Sequence, residues 1–425
     1  MSSTTRNLLI IAAFVIVFIG LPTLHVDLTP TVLGVGFGAF VVVYLLFGAR
    51  KSQQMRQAQQ KAAADPALRQ LTVYVGGQDG SVYALAANDG SARWQTRLQD
   101  GLPSLAVSAT PAVVDGVVYV GARDDCLHAL DTGSGSIKWR CQTGGTILSR
   151  PMVADGVVYV GSDDRHLYAV DARNGSVLWR YETRGDVCAG PAVADGVVYI
   201  GSDDHSVYAL SARDGAHLWS YKTGSQVGSS PVVADGVVYV GSHDHFVYAL
   251  NATDGSPIWR HKTGGPITMS PAVAGGIVFV ASNDQYVYAL DAQSGKPRWR
   301  HQTGGGRSSP VVVDGVVYVG SGGPGRYEGR ASQASLAEQG NVWALRAADG
   351  KFLWRHYLGT LSAASTPAVA NGVVFVSASG YSSSSYTCVS ALSADDGKVL
   401  WKSQAGIGGE YGVSVVVSRC YKTSA

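Results

Sequence analysis

Residues 153 to 192 read VADGVVYVGSDDRHLYAVDARNGSVLWRYETRGDVCAGPA, and residues 193 to 232 repeat them as VADGVVYIGSDDHSVYALSARDGAHLWSYKTGSQVGSSPV. The start of the second copy, at 193, lies 40 residues after the start of the first, at 153. The pattern recurs from Leu71 onward, and each copy carries a tryptophan at the equivalent position. These tryptophans are Trp94, Trp139, Trp179, Trp219, Trp259, Trp299, Trp354 and Trp401. The chain is therefore an array of eight related units.

Turn chemistry divides each unit into strands. An Asp-Gly pair between two β-branched runs, as at Asp155-Gly156, is a strong signal for a tight hairpin. Two further turns in each copy give four strands, and a period of about 40 to 50 residues with four strands is typical of a β-propeller. We predict an all-β, eight-bladed β-propeller with four-stranded blades over residues 71–418, followed by a tail at 419–425.

The first copy lacks an inner strand of its own. Seven inner strands follow a Ser-Pro or Thr-Pro type lead, and an eighth strand-like run, Gly412 to Ser418, stands at the C-terminal end. We expect this last strand to complete the first blade, because ring closure removes the open edges at which other chains could pair.

The first 50 residues predict a membrane anchor. Residues 7–24 and 31–47 are uncharged apolar stretches at the lower end of the ~17 to 25 residues that span a bilayer. We therefore predict a two-helix transmembrane hairpin over residues 1–50. A cleaved signal peptide is the alternative for the first stretch, but no small-residue cleavage site follows it.

Charges around this hairpin predict its orientation. The connecting loop HVDLTP has no Lys or Arg, whereas Arg6 precedes the hairpin and Arg50 and Lys51 follow it. The positive-inside rule then favours, by a small margin, a propeller on the cytoplasmic side of the cell (inner) membrane. Residues 51–70 are rich in helix formers, with Pro66 closing the run, and predict a linker or short helical stalk.

Composition argues against several classes of function. The formal net charge is +2 and 15% of residues are charged, so there is no strong basic field for nucleic acid. The five cysteines form neither an adjacent pair nor a CxxC motif. Cys126 and Cys141 flank a predicted hairpin symmetrically, so a disulfide between them is an open alternative to two reduced thiols.

Every copy has Gly four residues before its tryptophan and Ala ten before it, as in Ala169, Gly175 and Trp179. This pattern resembles the tryptophan-docking motif of the PQQ-repeat propellers, a family that includes quinoprotein alcohol dehydrogenases and BamB-type outer-membrane assembly lipoproteins. The resemblance spans residues 71 to 418 and implies that each indole lies between neighbouring blades, against the small Ala and Gly. Of these two branches, the chain resembles the BamB-type propellers more closely.

The dehydrogenase branch of this family binds a quinone on the propeller axis, with calcium, acidic ligands and a disulfide between adjacent cysteines. The sequence has no Cys-Cys pair, and the inner strands offer Ser, Ala, Gly and Arg150. We therefore predict no cofactor and no catalytic residues. Aspartates and histidines such as Asp163, Asp203 and His243 recur at 40-residue spacing, which predicts solvated turns on successive blades and no metal site.

Two copies depart from the pattern in the same turn, at residues 322–341 and 379–387. Long loops on adjacent blades predict a ledge, and Arg and Tyr anchor interfaces well. The candidate partner-binding residues are Arg326, Tyr327, Arg330, Tyr381 and Tyr386. A functionless insertion is the alternative.

Together these features predict a membrane-anchored propeller that binds an unidentified partner protein and is not an enzyme. The alternatives are a PQQ-dependent membrane quinoprotein oxidoreductase and a ligand-sensing propeller.

Overall fold

The computed structural model describes residues 56–57, 59–99, 106–107, 109–304, 308–322, 340–358, 365–378, 386–407 and 415–419. The chain divides into two compact units, residues 1–60 and 61–425. The predicted anchor, residues 1–50, lies outside the described residues. Within the described residues, no helix is long and apolar enough to cross a membrane.

The described residues form eight sheets, each of four antiparallel strands. The strands of the first four blades are β1 (Leu71–Gly76), β2 (Ser81–Ala86) and β3 (Ala92–Arg97) with the C-terminal β32 (Val415–Arg419); β4 (Ala112–Val114), β5 (Val117–Gly121), β6 (Cys126–Asp131) and β7 (Ile137–Gln142); β8 (Met152–Ala154), β9 (Val157–Gly161), β10 (His166–Asp171) and β11 (Val177–Glu182); and β12 (Ala192–Ala194), β13 (Val197–Ser202), β14 (Ser206–Ser211) and β15 (His217–Lys222).

The other four blades have the same order, from a short inner strand outward. Their strands are β16 (Val232–Ala234), β17 (Val237–Gly241), β18 (Phe246–Asn251) and β19 (Pro257–Lys262); β20 (Ala272–Ala274), β21 (Ile277–Ala281), β22 (Tyr286–Asp291) and β23 (Pro297–Gln302); β24 (Val311–Val313), β25 (Val316–Ser321), β26 (Asn341–Arg346) and β27 (Phe352–Tyr357); and β28 (Ala368–Ala370), β29 (Val373–Ala378), β30 (Tyr386–Ser393) and β31 (Val399–Ile407). The eight-bladed, four-stranded architecture predicted from the repeats is confirmed.

The C-terminal strand closes the ring. Strand β32 pairs antiparallel with β1, with Val417 opposite Val73 and Arg419 opposite Leu71. The first blade is therefore built from both ends of the array, as the missing inner strand predicted. The pairing extends one residue beyond the predicted boundary at 418.

Hairpin turns between first and second strands have the predicted geometry. Asp155 and Gly156 both have positive φ, at 50° and 74°. A turn with two central residues at positive φ matches the right-handed twist of the flanking strands, and Asp-Gly adopts it at low cost.

The core lies between the blades. The second and third strands are almost fully buried, as in β9 and β10, whereas the outer β11 alternates exposed and half-buried residues. One cluster joins Leu127 and Ala129 of the second blade to Val158, Val160 and Tyr168 of the third. Each blade therefore buries apolar surface mainly against its neighbours, which is how propeller sheets form a continuous core.

The segment before the first blade is helical in part. Residues 59–64 are helical, and Pro66–Arg69 forms a short second helix. Oδ1 of Asp65 caps this helix by accepting from the Ala67 N–H at 2.8 Å. Pro66 thus begins a helix, where the sequence predicted that it would close one, because proline is well suited to the first helical position.

Candidate functional site

One end of the propeller carries a series of polar turns. It is formed by the turns between second and third strands together with the loops that connect successive blades. We call this end the polar face, and its described segments include residues 122–125, 143–151, 162–165, 183–191, 202–205, 223–231, 242–245, 263–271 and 282–285. Turn and loop are joined directly, since the Gly144 N–H donates to Oδ2 of Asp164 at 2.7 Å.

The aspartate equivalent to Asp164 has a structural role in several of these turns. Tyr168 donates its hydroxyl to Oδ2 of Asp164 at 2.5 Å, and this oxygen also accepts the Gly144 N–H from the preceding loop. Burial alone would raise the pKa of Asp164, but these hydrogen bonds outweigh it and hold the pKa below its usual range. The same tyrosine–aspartate bond recurs at Tyr83–Asp79, Tyr208–Asp204, Tyr248–Asp244 and Tyr288–Asp284.

Asp163 and Asp203, which precede the tyrosine-bonded aspartates of blades three and four, behave differently. With Asp186 of the loop between these blades they form the acidic cluster, defined here as Asp163, Asp186 and Asp203. Burial, with repulsion from Asp186, raises the pKa of both Asp163 and Asp203 above the usual range. Among the described residues, none of the three carboxylates makes an ion pair. The prediction of solvated, separate turns is therefore wrong for Asp163 and Asp203, which converge on a loop carboxylate between them.

A thiol completes this group. Sγ of Cys188 donates to Oδ1 of Asp163 at 3.2 Å, and ligand atoms of Asp163, Asp186 and Cys188 lie within 4.8 Å of one another. Burial and the neighbouring carboxylates raise the pKa of the Cys188 thiol, so it is protonated at neutral pH. Sequence reasoning missed Asp186 and Cys188. The loop TRGDVCAGP does differ visibly from its counterpart TGGTILSRP in the preceding copy.

A chain of hydrogen bonds runs between the residues that precede the inner-strand prolines. The Gly190 N–H donates to Oγ of Ser230 at 2.8 Å, and the Ser230 N–H donates to Oγ of Ser270 at 3.2 Å. The next links are Ser270 to Ser309 at 3.1 Å and Ser309 to Thr366 at 3.1 Å. Small hydroxyl residues at this position therefore join one blade to the next.

Arg150 occupies this pre-proline position in the third blade. Part of the residue is exposed to water. The guanidinium is nevertheless partly desolvated by surrounding protein, which lowers its pKa. It forms no ion pair with a described residue.

Each of the eight tryptophans predicted for blade docking contacts the following blade. The Trp94 indole N–H donates to the carbonyl oxygen of Thr132 at 2.9 Å, and a Cβ placed on Gly135 would lie 2.6 Å from the Trp94 ring. Ala84 is the cross-strand partner of Trp94 within its own blade. The other seven indoles donate in the same way, in the pairs Trp139–Ala172, Trp179–Ala212, Trp219–Ala252, Trp259–Ala292, Trp299–Ala347, Trp354–Ala394 and Trp401–Ala87.

The predicted ledge lies mostly outside the described residues. This applies to Arg326, Tyr327, Arg330 and Tyr381, whereas Tyr386 is the first residue of β30. The two long insertions join β25 to β26 and β29 to β30, at the ends of these strands that belong to the polar face by topology. The ledge stays a prediction, on the same face as the acidic cluster.

The two cysteines that flank a hairpin do not face each other. Cys126 is opposite Gln142, and Cys141 is opposite Leu127. Neighbouring positions on a strand point to opposite faces of a sheet, so the two side chains lie on different sides of the blade. Both are free thiols in this structure.

A protein-family model described as "Outer membrane protein assembly factor BamB" matches residues 78–189, 184–269, 243–330 and 320–423. No curated protein sequence matches the chain significantly.

Solved structures with the same fold include non-enzymatic and enzymatic proteins. BamB from Moraxella catarrhalis has 22% identity and a TM-score of 0.58, covering 76% of this chain and 88% of that one. The quinohemoprotein alcohol dehydrogenase from Comamonas testosteroni has 18% identity and a TM-score of 0.61, covering 81% of this chain and 70% of that one. The computationally designed Ika8 protein has 18% identity and a TM-score of 0.61, covering 72% of this chain and 89% of that one. At these identities the likeness shows the fold alone.

Proposed function

Because this chain belongs to the PQQ-repeat family whose model carries the name of the assembly factor BamB, we propose that it is a non-catalytic scaffold that binds a partner protein through the polar face. The observation that carries the proposal is the acidic cluster of Asp163, Asp186 and Asp203. We further propose that residues 1–50 anchor the propeller to the cell membrane, through the two apolar stretches at 7–24 and 31–47.

The acidic cluster supports binding because none of its carboxylates forms an ion pair with a described residue. Burial and repulsion from Asp186 raise the pKa of Asp163 and Asp203, so holding these two carboxylates charged beside Asp186 costs free energy in the isolated chain. A Lys or Arg from a partner would relieve this repulsion and gain charge-assisted hydrogen bonds of ~1.5 to 3 kcal/mol each. The proposed partner therefore presents a basic segment to blades three and four.

The rival function, quinone-dependent oxidation, finds less support in these residues. The family's quinone is an anion that is held with calcium beside a disulfide of adjacent cysteines, whereas the cysteine at the acidic cluster, Cys188, has no cysteine next to it in the sequence. Without a cation between them, the carboxylates of Asp163, Asp186 and Asp203 would repel such an anion. We derive no catalytic step from these residues.

Isosteric replacement of the acidic cluster tests the scaffold function. A photo-crosslinking residue at His205 on the polar face should give discrete protein adducts in intact cells. These adducts should disappear in the triple variant Asp163→Asn, Asp186→Asn, Asp203→Asn. The matched control replaces the turn aspartates at the opposite end, Asp155→Asn, Asp195→Asn and Asp235→Asn, because asparagine tolerates their positive φ equally well. Adducts that survive the first triple variant would remove the acidic cluster from the proposal.

A reconstitution assay tests the enzymatic rival. The purified chain is supplied with PQQ and Ca²⁺, then assayed for dye reduction with alcohols and sugars. We expect no turnover above that of the cofactor alone. Turnover that saturates with substrate would overturn the scaffold function.

Protease protection tests the membrane placement. The charge pattern favours, by a small margin, a propeller on the cytoplasmic side, so digestion should require permeabilisation of the inner membrane. Digestion once only the outer barrier is opened would place the propeller outside, and release of the chain by high salt without detergent would exclude the anchor.

A further inference from the structure

The turn between β5 and β6 in the second blade brings together three metal-ligating side chains. They are Asp124, Cys126 and His128, and their ligand atoms lie within 4.8 Å of one another. Nε2 of His128 is 2.8 Å from Oδ2 of Asp124, and Sγ of Cys126 is 3.1 Å from Oε1 of Gln142 on β7. A carboxylate, a thiol and an imidazole thus lie together, with an amide oxygen next to the thiol.

This group is shielded from water. The side chains of His128 and Asp124 are 0% and 3% exposed, and Cys126 is 5% exposed. The second ring nitrogen of His128, Nδ1, is buried without a hydrogen-bond partner among the described residues. The ring nitrogen that contacts Asp124 is Nε2, so Nε2 is the imidazole atom that would bind an ion shared with this carboxylate.

The other blades show which residues usually occupy these positions of the repeat. At the His128 position, five blades have Tyr83, Tyr168, Tyr208, Tyr248 and Tyr288, each bonded to the aspartate of its turn. At the Cys126 position, two of these blades have Ser81 and Ser206. A histidine alone could replace the tyrosine as a partner for Asp124. It would not explain the adjacent thiol.

We infer that Asp124, Cys126 and His128 form a Zn²⁺ site, with Gln142 or a water as the fourth ligand. Zinc binds thiolate, imidazole and carboxylate at about 2.0 to 2.3 Å, which places ligand atoms in a tetrahedral site about 3 to 4 Å apart. The three ligand atoms already lie within 4.8 Å of one another, so rotation about side-chain torsions would bring them to these distances from one ion. The thiolate and imidazole favour zinc over calcium or magnesium, which prefer oxygen ligands. The ion would join the turn to β6 and, through Gln142, to β7.

The repeat itself supplies the variants that test this site. The double variant Cys126→Ser, His128→Tyr gives the second blade the Ser206 and Tyr208 pattern of the fourth blade, so it should fold with a tyrosine–aspartate bond in place of the metal ligands. Cys188→Ser is the control, because Cys188 is the thiol of the separate group with Asp163 and Asp186.

The measurement is cobalt absorption on the full-length chain, purified without a polyhistidine tag and stripped with chelator. We expect one equivalent of Co²⁺ to give a thiolate charge-transfer band and strong visible bands of a tetrahedral site, both bleached by one equivalent of Zn²⁺. Cys188→Ser should keep these bands, and the double variant should lose them while unfolding at the same temperature as the stripped parent.

Two results would overturn the inference. One is the absence of a thiolate band at one equivalent of Co²⁺ in the parent chain. The other is a band that persists in the double variant and disappears in Cys188→Ser, which would move the metal to the Asp163, Asp186 and Cys188 group. Neither result depends on the scaffold function.

Discussion

Trp401 donates its indole N–H to the carbonyl oxygen of Ala87 at 2.8 Å, although 314 positions of sequence separate the two residues. The bond joins the eighth blade to the first. It repeats the contact that Trp94 makes with Thr132, only 38 positions away. Closure of the ring therefore uses the same inter-blade contact as every other junction, in addition to the pairing of β32 with β1.

Replacing a glycine under a tryptophan should destabilise the ring more than replacing a glycine in an open turn. Gly135 and Gly156 have nearly equal φ, 72° and 74°, so alanine pays a similar backbone cost of ~1 to 2 kcal/mol at both. Only at Gly135 would the new Cβ strike an indole, at 2.6 Å, since nothing lies within 4 Å at Gly156. Overpacking should add about 1 to 3 kcal/mol to the destabilisation by Gly135→Ala in urea unfolding. Equal destabilisation by the two variants would contradict this prediction, because it would show that the Trp94 indole moves aside at no cost.

Removing the closing strand should open the propeller. A chain that ends at residue 414 lacks β32 and exposes the edge of β1, which can then pair with another molecule. We expect loss of cooperative unfolding and self-association in size-exclusion chromatography. A chain that ends at Arg419 keeps the whole strand and should behave like the parent. A monomeric, cooperatively unfolding product from the shorter chain would contradict the closure role.

Neutralising Asp203 should stabilise the protein at neutral pH. Burial and repulsion from Asp186 raise the pKa of Asp203 above its ordinary value of 3.8, so the folded form holds this proton more tightly than the unfolded form. The unfolding free energy therefore falls as pH rises from 3.8 through the raised pKa. Asp203→Asn should unfold at a higher temperature than the parent at pH 7, and the difference should vanish in acid.

The control for this prediction has the opposite sign. Hydrogen bonds from Arg173 lower the pKa of Asp171 to about 2, so its charged form favours folding. Asp171→Asn should lower the unfolding temperature at pH 7 or leave it unchanged. An increase like that of Asp203→Asn would mean that general loss of negative charge is responsible.

Mild oxidation should not link Cys126 to Cys141. Their side chains lie on opposite faces of the blade, and a disulfide would require β6 and β7 to shift register. Alkylation of the unfolded protein after treatment with an oxidant, followed by peptide mass spectrometry, should find both residues alkylated. A peptide that contains the 126–141 disulfide would show that the hairpin slips in solution.

The fold was predictable because its signals are local and repeated. An Asp-Gly turn such as Asp155-Gly156 and a tryptophan such as Trp179 recur in register, and one missing inner strand is enough to locate the closure. Repetition lets weak signals support one another, since each unit contacts only its neighbours.

The cysteine geometry was not predictable from a symmetric hairpin. Near the turn, Leu130 pairs with Ile137, a register that would place Cys126 opposite Cys141. A bulge between Ala129 and Leu130 inserts one extra residue, so that Ala129 pairs with Trp139 and the cysteines are offset by one. Sequence distance gives no sign of such a bulge.

The acidic cluster and the proposed zinc site could not be predicted from the sequence, for different reasons. The acidic cluster combines Asp163 and Asp203, from turns of two blades, with Asp186 from the loop between them, and only the three-dimensional arrangement shows that they meet. The zinc ligands Cys126 and His128 were visible as departures from the repeat, but their buried environment and shared point of convergence were not.

The pairing of Arg419 with Leu71 also has a consequence for circular permutation of the chain. Because the ends of the array are adjacent, a short linker could join them without disturbing a blade. New ends could be placed at a turn such as Asp235-Gly236, where a Cβ added to the glycine would meet nothing within 4 Å. Such a circular permutant would keep every junction between blades. The ring therefore has no physical first blade. The position of the chain ends decides only which blade is completed by strand pairing instead of by a continuous chain.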